Sequence, residues 1–205
     1  DWNLTTRVQG RLDTPLNATG QQQAALLGQA LSTEPITAIY ASPLQRAQAT
    51  AAAIAQHHPL AVVTLPGLSE LDQGDLEGLP AAEIRTHPSG VHQHWQAGNF
   101  GFVIPGGESL TALQERAWEA VQAIMQQVGE GTAVAVSHNL TTKTIICSAL
   151  GLPLATYRNL RKDNCSITTL EFTPERVTLV RLNDTSHYAS VLRPSPRPPA
   201  IPTAT

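Results

Sequence analysis

An α/β fold is predicted: a three-layer sandwich with a mostly parallel central sheet, helices on both faces and a C-terminal β-hairpin. Three observations carry this reading. Short apolar runs alternate with stretches whose apolar residues recur every three or four positions, the pattern of strands joined by helices. Proline and glycine fall between these segments, where they end one element and release the next. Near the C-terminus, two runs of alternating apolar and polar residues flank Thr173-Pro174-Glu175 and read as an antiparallel hairpin.

The elements follow in order. The first nineteen residues are polar and turn-rich, and Thr19-Gly20 opens a helix in which Gln23, Ala24, Leu27, Ala30 and Leu31 keep helical spacing. Pro35 interrupts, and residues 36–41 form a strand. Ser42-Pro43 is a helix start, with serine as N-cap and proline at the first helical position, leading into the alanine-rich segment 44–56. A second strand, 61–65, lies between Pro59 and Pro66. From 67 to 107 the pattern is irregular, with short helices predicted at 81–85 and 92–97. Long loops in compact domains are usually functional or disordered, so this segment is read as a cap or active-site insertion. Ser109 starts the clearest helix, whose Leu110, Leu113, Ala117, Val121, Ile124 and Val128 form one apolar stripe ended by Gly129 and Gly131. Residues 132–136 are a buried strand, 140–150 a helix closed by Gly151 and Pro153, and 166–172 with 176–182 the hairpin. The expected organisation is one domain over 1–192 and a proline-rich, disordered tail over 193–205.

Composition narrows the function. The chain has 205 residues, 41% of them hydrophobic, enough to bury one sizeable core. A net charge of -3 gives nucleic-acid binding no electrostatic support. No apolar run reaches bilayer length, so no membrane partner is expected. Cys147 and Cys165 form neither a disulfide framework nor a metal-ligand spacing, and with no signal-peptide pattern a cytoplasmic setting is expected. A dinucleotide site is set aside because no Gly-x-Gly-x-x-Gly turn is present.

In α/β folds, ligands sit where strands end and helices begin. Two such junctions stand out. Tyr40-Ala41-Ser42-Pro43-Leu44-Gln45-Arg46 puts an arginine in the first turn of a helix, and Val136-Ser137-His138-Asn139 puts a histidine at the end of a buried strand. Positive charge beside helix N-terminal amides suits an anion such as phosphate. Glu70, just after the second strand, could move protons for a leaving alkoxide. Singly, each has an ordinary explanation: a surface ion pair, a structural histidine, a solvated carboxylate. His87, His92 and His94 lack nearby carboxylates or cysteines, so no metal is expected. His57-His58 reads as a helix-end cap, and His187 as either structural or close to the substrate face.

Taken together and in order, the segments resemble the histidine phosphatase superfamily, which includes the cofactor-dependent phosphoglycerate mutases. Asp1-Trp2-Asn3 is similar to what directly follows that family's Arg-His-Gly-Glu-Thr signature. Arg7-Val8-Gln9-Gly10, Asp13-Thr14-Pro15-Leu16-Asn17 and Thr19-Gly20 come next in the family's order. Ser42-Pro43-Leu44 with Arg46-Ala47 resembles the second arginine motif, 68–78 the acid loop, Pro105-Gly106-Gly107-Glu108-Ser109 the segment before the long helix, and Ser137-His138 the second histidine motif.

The resemblance implies a ping-pong reaction through a phosphohistidine, with no metal or other cofactor. Arg46 and His138 would hold the equatorial oxygens and Asn3 would complete the phosphate pocket. Asn139 would offer its backbone N–H where the family usually has glycine, and Gln9-Gly10 would line the substrate side. Glu70 would protonate the leaving oxygen and then take a proton from water. The chain begins with Asp1 and its only methionine is Met125, so the expectation is a chain cut just after the signature, lacking the nucleophile and the first strand, and inactive and poorly stable by itself. The function expected of the family member is hydrolysis of a phosphomonoester, either broad-specificity or on a small phosphorylated metabolite. Phosphoglycerate mutase activity and a catalytically inactive phosphate-binding protein are the alternatives, and a homodimer is left open.

Overall fold

The computed structural model describes residues 7–192; Asn3 and the 193–205 segment lie outside the described residues. Helix α1 (Ala18–Leu31) starts at Asn17, whose side chain accepts the Gly20 N–H at 2.8 Å. That bond satisfies one of the donors a helix leaves open at its start. Replacing Asn17 with alanine is expected to cost about 1 kcal/mol of unfolding free energy, read as a lower urea midpoint at unchanged m-value.

Strand β1 (Ile36–Ala41) follows, then α2 (Gln45–Ala55) and β2 (Val62–Thr64). A Cβ at Gly28 of α1 would run into the Ala53 carbonyl of α2, so glycine is what lets these two helices lie so close. The 67–107 segment contains three single 3₁₀ turns, at Pro66–Leu68, Gly74–Leu76 and Glu83–Arg85, and the short α3 (Val91–Gln96). Helix α4 (Leu110–Val128) is capped by Ser109, whose hydroxyl accepts the Ala112 N–H at 3.0 Å. Strand β3 (Thr132–Val136), α5 (Asn139–Ala149), a 3₁₀ stretch at Leu154–Asn159, β4 (Ile167–Phe172), β5 (Val177–Asp184) and α6 (Ser186–Ala189) complete the order.

β1 is the middle of a three-stranded parallel sheet in the order β2-β1-β3. Its side chains alternate between two cores, as strand geometry requires. Ile39 and Ala41 join Leu27 of α1 and Ala51 and Ile54 of α2 on one face; Ala38 and Tyr40 join Ala117, Ala120 and Ile124 of α4 and Ile145 of α5 on the other. Ile36 stays on the first face because the register shifts between Ile36 and Ala38. This is the predicted helix–sheet–helix sandwich. A third cluster, including Leu71, Leu76, Val91, Ile104, Leu110 and Cys147, gives the 67–107 segment its own apolar footing on α4 and α5.

The predicted C-terminal hairpin is present: β4 and β5 form a separate two-stranded antiparallel sheet among the described residues. One detail differs from the sequence reading. Ser42-Pro43 does not open α2: Leu44 is still extended (φ -68°, ψ 135°), and the helix begins at Gln45. Asp13, from the loop before α1, takes the capping role by accepting the Gln45 N–H at 2.7 Å. No helix among the described residues is long and apolar enough to cross a membrane.

Candidate active site

The three parallel strands end in step: Ala41 of β1 faces Thr64 of β2 on one side and Val136 of β3 on the other. The segments that leave these ends therefore emerge along one edge of the sheet. From β1 comes the Ser42 turn and Arg46, from β2 the loop to Glu70, and from β3 Ser137 and His138. Arg46, Glu70, His138 and Asn139, together with Gln9 and Gly10, lie along one long open cleft that also runs the length of β3 to the β4-β5 hairpin.

Residues directly beyond adjacent strand ends meet. His138 Nε2 lies 2.7 Å from Ser42 Oγ, and both side chains are buried. Burial, with the nearby positive charges of Arg46, Arg116 and Lys162 adding to it, pushes the His138 pKa down to about 3, so the ring is neutral in the free site. Arg46, in the first turn of α2, donates from Nη1 to Leu12 O and from Nη2 to Gly10 O, each at 2.8 Å. Burial lowers its pKa against the raising effects of Glu70, Asp13 and Glu77. An arginine starts so high that it keeps its charge regardless.

The loop carrying Gln9 and Gly10 is fixed from the far side. Val8 and Leu79 are paired through Val8 N–H to Leu79 O at 2.9 Å, and Glu77 Oε1 accepts the Arg11 N–H at 2.6 Å. Gly10 has φ +52°, and a Cβ there would collide with the Glu77 carboxylate. Only glycine fits this turn.

Glu70 is buried at the start of α5. Its Oε1 accepts from Leu71 N (2.9 Å), Thr141 Oγ1 (3.1 Å) and Thr141 N (3.3 Å), and its Oε2 from Leu140 N (3.2 Å). A carboxylate at a helix N-terminus meets open amides and the positive end of the helix dipole. Ser137 Oγ donates to Leu68 O at 2.7 Å, tying the histidine turn to the same loop. Asn139 is the first residue of α5 and is absent from the positive-φ residues, so the family's glycine position needs no special backbone here.

The structure thus brings together six of the residues singled out from sequence, with Asn3 outside the described residues. It adds Ser42, Thr141 and Lys162, which sequence reasoning did not assign to the site. Lys162 lines the cleft with its Nζ 2.7 Å from Ser166 Oγ; burial pushes its pKa down to about 8, opposed by Cys165 and Asp163. A lysine beside the Asp163-Asn164-Cys165-Ser166 run was the available signal. Two of the other histidines have ordinary partners: His94 stacks on Phe102 at 3.9 Å, and His58 Nε2 reaches Leu31 O at 3.1 Å, capping α1 rather than its own helix. Among the described residues, no cluster of three or more His, Cys, Asp or Glu side chains could hold a metal ion.

The family model for the histidine phosphatase superfamily (branch 1) matches residues 1–185. The chain belongs to that superfamily. Within it, the chain is 31% identical over 187 residues to phosphoserine phosphatase 1 of Hydrogenobacter thermophilus, covering 91% of this chain and 89% of that one. It is 34% identical over 171 residues to the probable phosphoglycerate mutase GpmB of Yersinia pestis, covering 83% and 80%. A mutant phosphoserine phosphatase from Entamoeba histolytica, solved in complex with phosphoserine, superposes with a TM-score of 0.82 at 29% identity, covering 91% and 92%. The histidine phosphatases matched here are thus both phosphatases and mutases, and the family's members are enzymes.

Proposed function

We propose that this histidine phosphatase hydrolyses phosphomonoesters of small metabolites through a phosphohistidine, with carboxylate-bearing phosphates as the favoured class. The convergence of Arg46, His138 and Glu70 on one cleft carries the reading. A charged arginine and a neutral imidazole beside an anion-favouring helix start suit a phosphoryl group, and a buried carboxyl facing them suits proton transfer to its leaving oxygen. Lys162 adds a cation further along the cleft, where a substrate carboxylate can be met. Phosphoserine, bound in the Entamoeba relative, has that chemistry.

The nucleophile in this reading is the histidine of the family's Arg-His-Gly signature, and none of the described residues is assigned that role. In-line attack by that histidine forms the N–P bond as the ester O–P bond breaks, and Glu70 gives its proton to the departing oxygen. Water, deprotonated by Glu70, then attacks the phosphohistidine and releases inorganic phosphate. Arg46 and His138 hold the equatorial oxygens through both steps. Asn3 and the backbone N–H of Asn139 are assigned to the same pocket.

The test is steady-state hydrolysis by the full-length gene product, offered phosphoserine, 3-phosphoglycerate and p-nitrophenyl phosphate, with quench trapping of an acid-labile phosphoenzyme. Glu70→Gln is expected to lower kcat on phosphoserine by about 10² or more, with KM little changed. Bound phosphate without turnover would instead identify a phosphate-binding protein. A mutase reading is favoured by the Yersinia relative; it requires 3-phosphoglycerate to be isomerised faster than it is hydrolysed.

A further inference from the structure

Arg116 sits on α4, on the outer side of the Glu70 loop, where it lines a separate hollow with Gly67 and Ser69 rather than the cleft. All five of its N–H bonds are used. Nη1 donates to Gly67 O and Ser69 O at 2.9 Å each, and Nη2 to Glu70 O at 2.9 Å. The remaining two go to the Glu108 carboxylate, from Nε at 3.0 Å and from Nη2 at 2.6 Å. Glu108 in turn accepts the Asp72 N–H at 2.9 Å, and its own backbone N–H donates to Asp72 O at 3.0 Å. Arg11 bridges the same groups, 3.2 Å from Asp72 and 3.3 Å from Glu108.

Three backbone carbonyls turned to one side repel one another and face no strand partner, so something must satisfy them. A planar guanidinium with a carboxylate behind it does so from one fixed direction. Although burial works to raise the Glu108 pKa, the hydrogen bonds from Arg116 and the Asp72 N–H, with the charges of Arg116 and Arg11, hold it below the usual carboxylate range. The pair is therefore charged at neutral pH.

We infer that Arg116, with Glu108 as its counter-ion, is a positioning residue for Glu70: it fixes the backbone of 67–72 so that the Glu70 carboxyl is presented to the leaving oxygen. This rests on the reading of Glu70 as the proton donor. The grip is on the main chain on both sides of Glu70, while the carboxylate is held from α5 by Leu140 and Thr141 and from the loop itself by Leu71 N. Thr141 Oγ1 also meets Ser69 O, so loosening the Arg116 grip shifts the loop against these bonds and lets the carboxyl drift without emptying the phosphate pocket.

The experiment uses two leaving groups on the full-length gene product. Phosphoserine releases an alkoxide that needs a proton, whereas p-nitrophenolate leaves without one. Glu70→Gln, Arg116→Lys and Glu108→Gln are compared, with circular dichroism and urea midpoints to show that each is folded. Arg116→Lys keeps the charge but loses the planar fork, so kcat/KM, which reports phosphoryl transfer to the enzyme and not the later attack of water common to both substrates, is expected to fall about tenfold on phosphoserine and about twofold on p-nitrophenyl phosphate. Glu108→Gln should show the same asymmetry, and it carries the test if the lysine variant does not fold. Equal losses on both substrates, or none, while Glu70→Gln keeps its asymmetry, would overturn the clamp alone. A Glu70→Gln variant without asymmetry overturns the proton-donor reading and the clamp's role with it.

Discussion

Replacing Arg46 with alanine is expected to lower kcat/KM for phosphoserine by about 10² to 10³, and lysine is expected to recover little of it. Two losses combine. The guanidinium supplies the permanent positive charge of the pocket, which His138 does not supply while its ring is neutral. It also anchors the loop that carries Gln9 and Gly10, through its bonds to Gly10 O and Leu12 O. A lysine restores the charge, but its point-like ammonium cannot span both carbonyls and a phosphate oxygen. Initial-rate kinetics on the full-length gene product give the answer. A lysine variant within about threefold of wild type would show that charge alone suffices.

The second large effect is on stability in acid. His138 has a folded-state pKa of about 3, far below the ordinary histidine value. Above an unfolded-state pKa of about 6.5, neither state holds this proton and the ring makes no difference. As pH falls below that value the unfolded chain takes up the proton and the native ring does not, so stability is lost at about 1.4 kcal/mol per pH unit until the native ring titrates near pH 3. A His138→Gln variant lacks this titration, so its stability relative to wild type should improve steadily between pH 6.5 and pH 4 in urea unfolding. Curves that stay parallel across that window would contradict the burial of a neutral ring. A bound phosphate dianion acts in the opposite direction, favouring the protonated ring, so ligand should soften the acid limb.

Much of the scaffold was legible because it obeys local rules. The bounds of β1 and β3 follow from short apolar runs between breakers, and Ser109 caps α4 as its position before the apolar stripe implies. Arg46, Glu70 and His138 could be singled out because strand ends are where this fold class puts chemistry. What escaped was set by partners distant in the chain. Asp13 caps α2 from 32 residues away, and its carboxylate has no signature in the helix it serves. Ser42 had a plausible local role as a cap, but its hydroxyl turned to His138, 96 positions on. Thr141 carries no sequence signal of its own, yet its hydroxyl bridges Ser69 O and Glu70 Oε1. Arg116 and Glu108 are eight positions apart, a spacing with no ion-pair signature, and only the folded loop between 67 and 72 shows what they hold.

The strands that end in step have a thermodynamic consequence as well as a geometric one. The arginine and histidine of the pocket leave β1 and β3, and the carboxyl that faces them leaves β2, so they meet only when the whole parallel sheet is paired. No short stretch of the unfolded chain reproduces the pocket, and an anion that occupies it binds the native state alone. Such a ligand at a hundred times its dissociation constant adds about 2.7 kcal/mol to unfolding. Substrate and product therefore act as staples across three strand ends, and the folded fraction rises with the concentration of the anion they share.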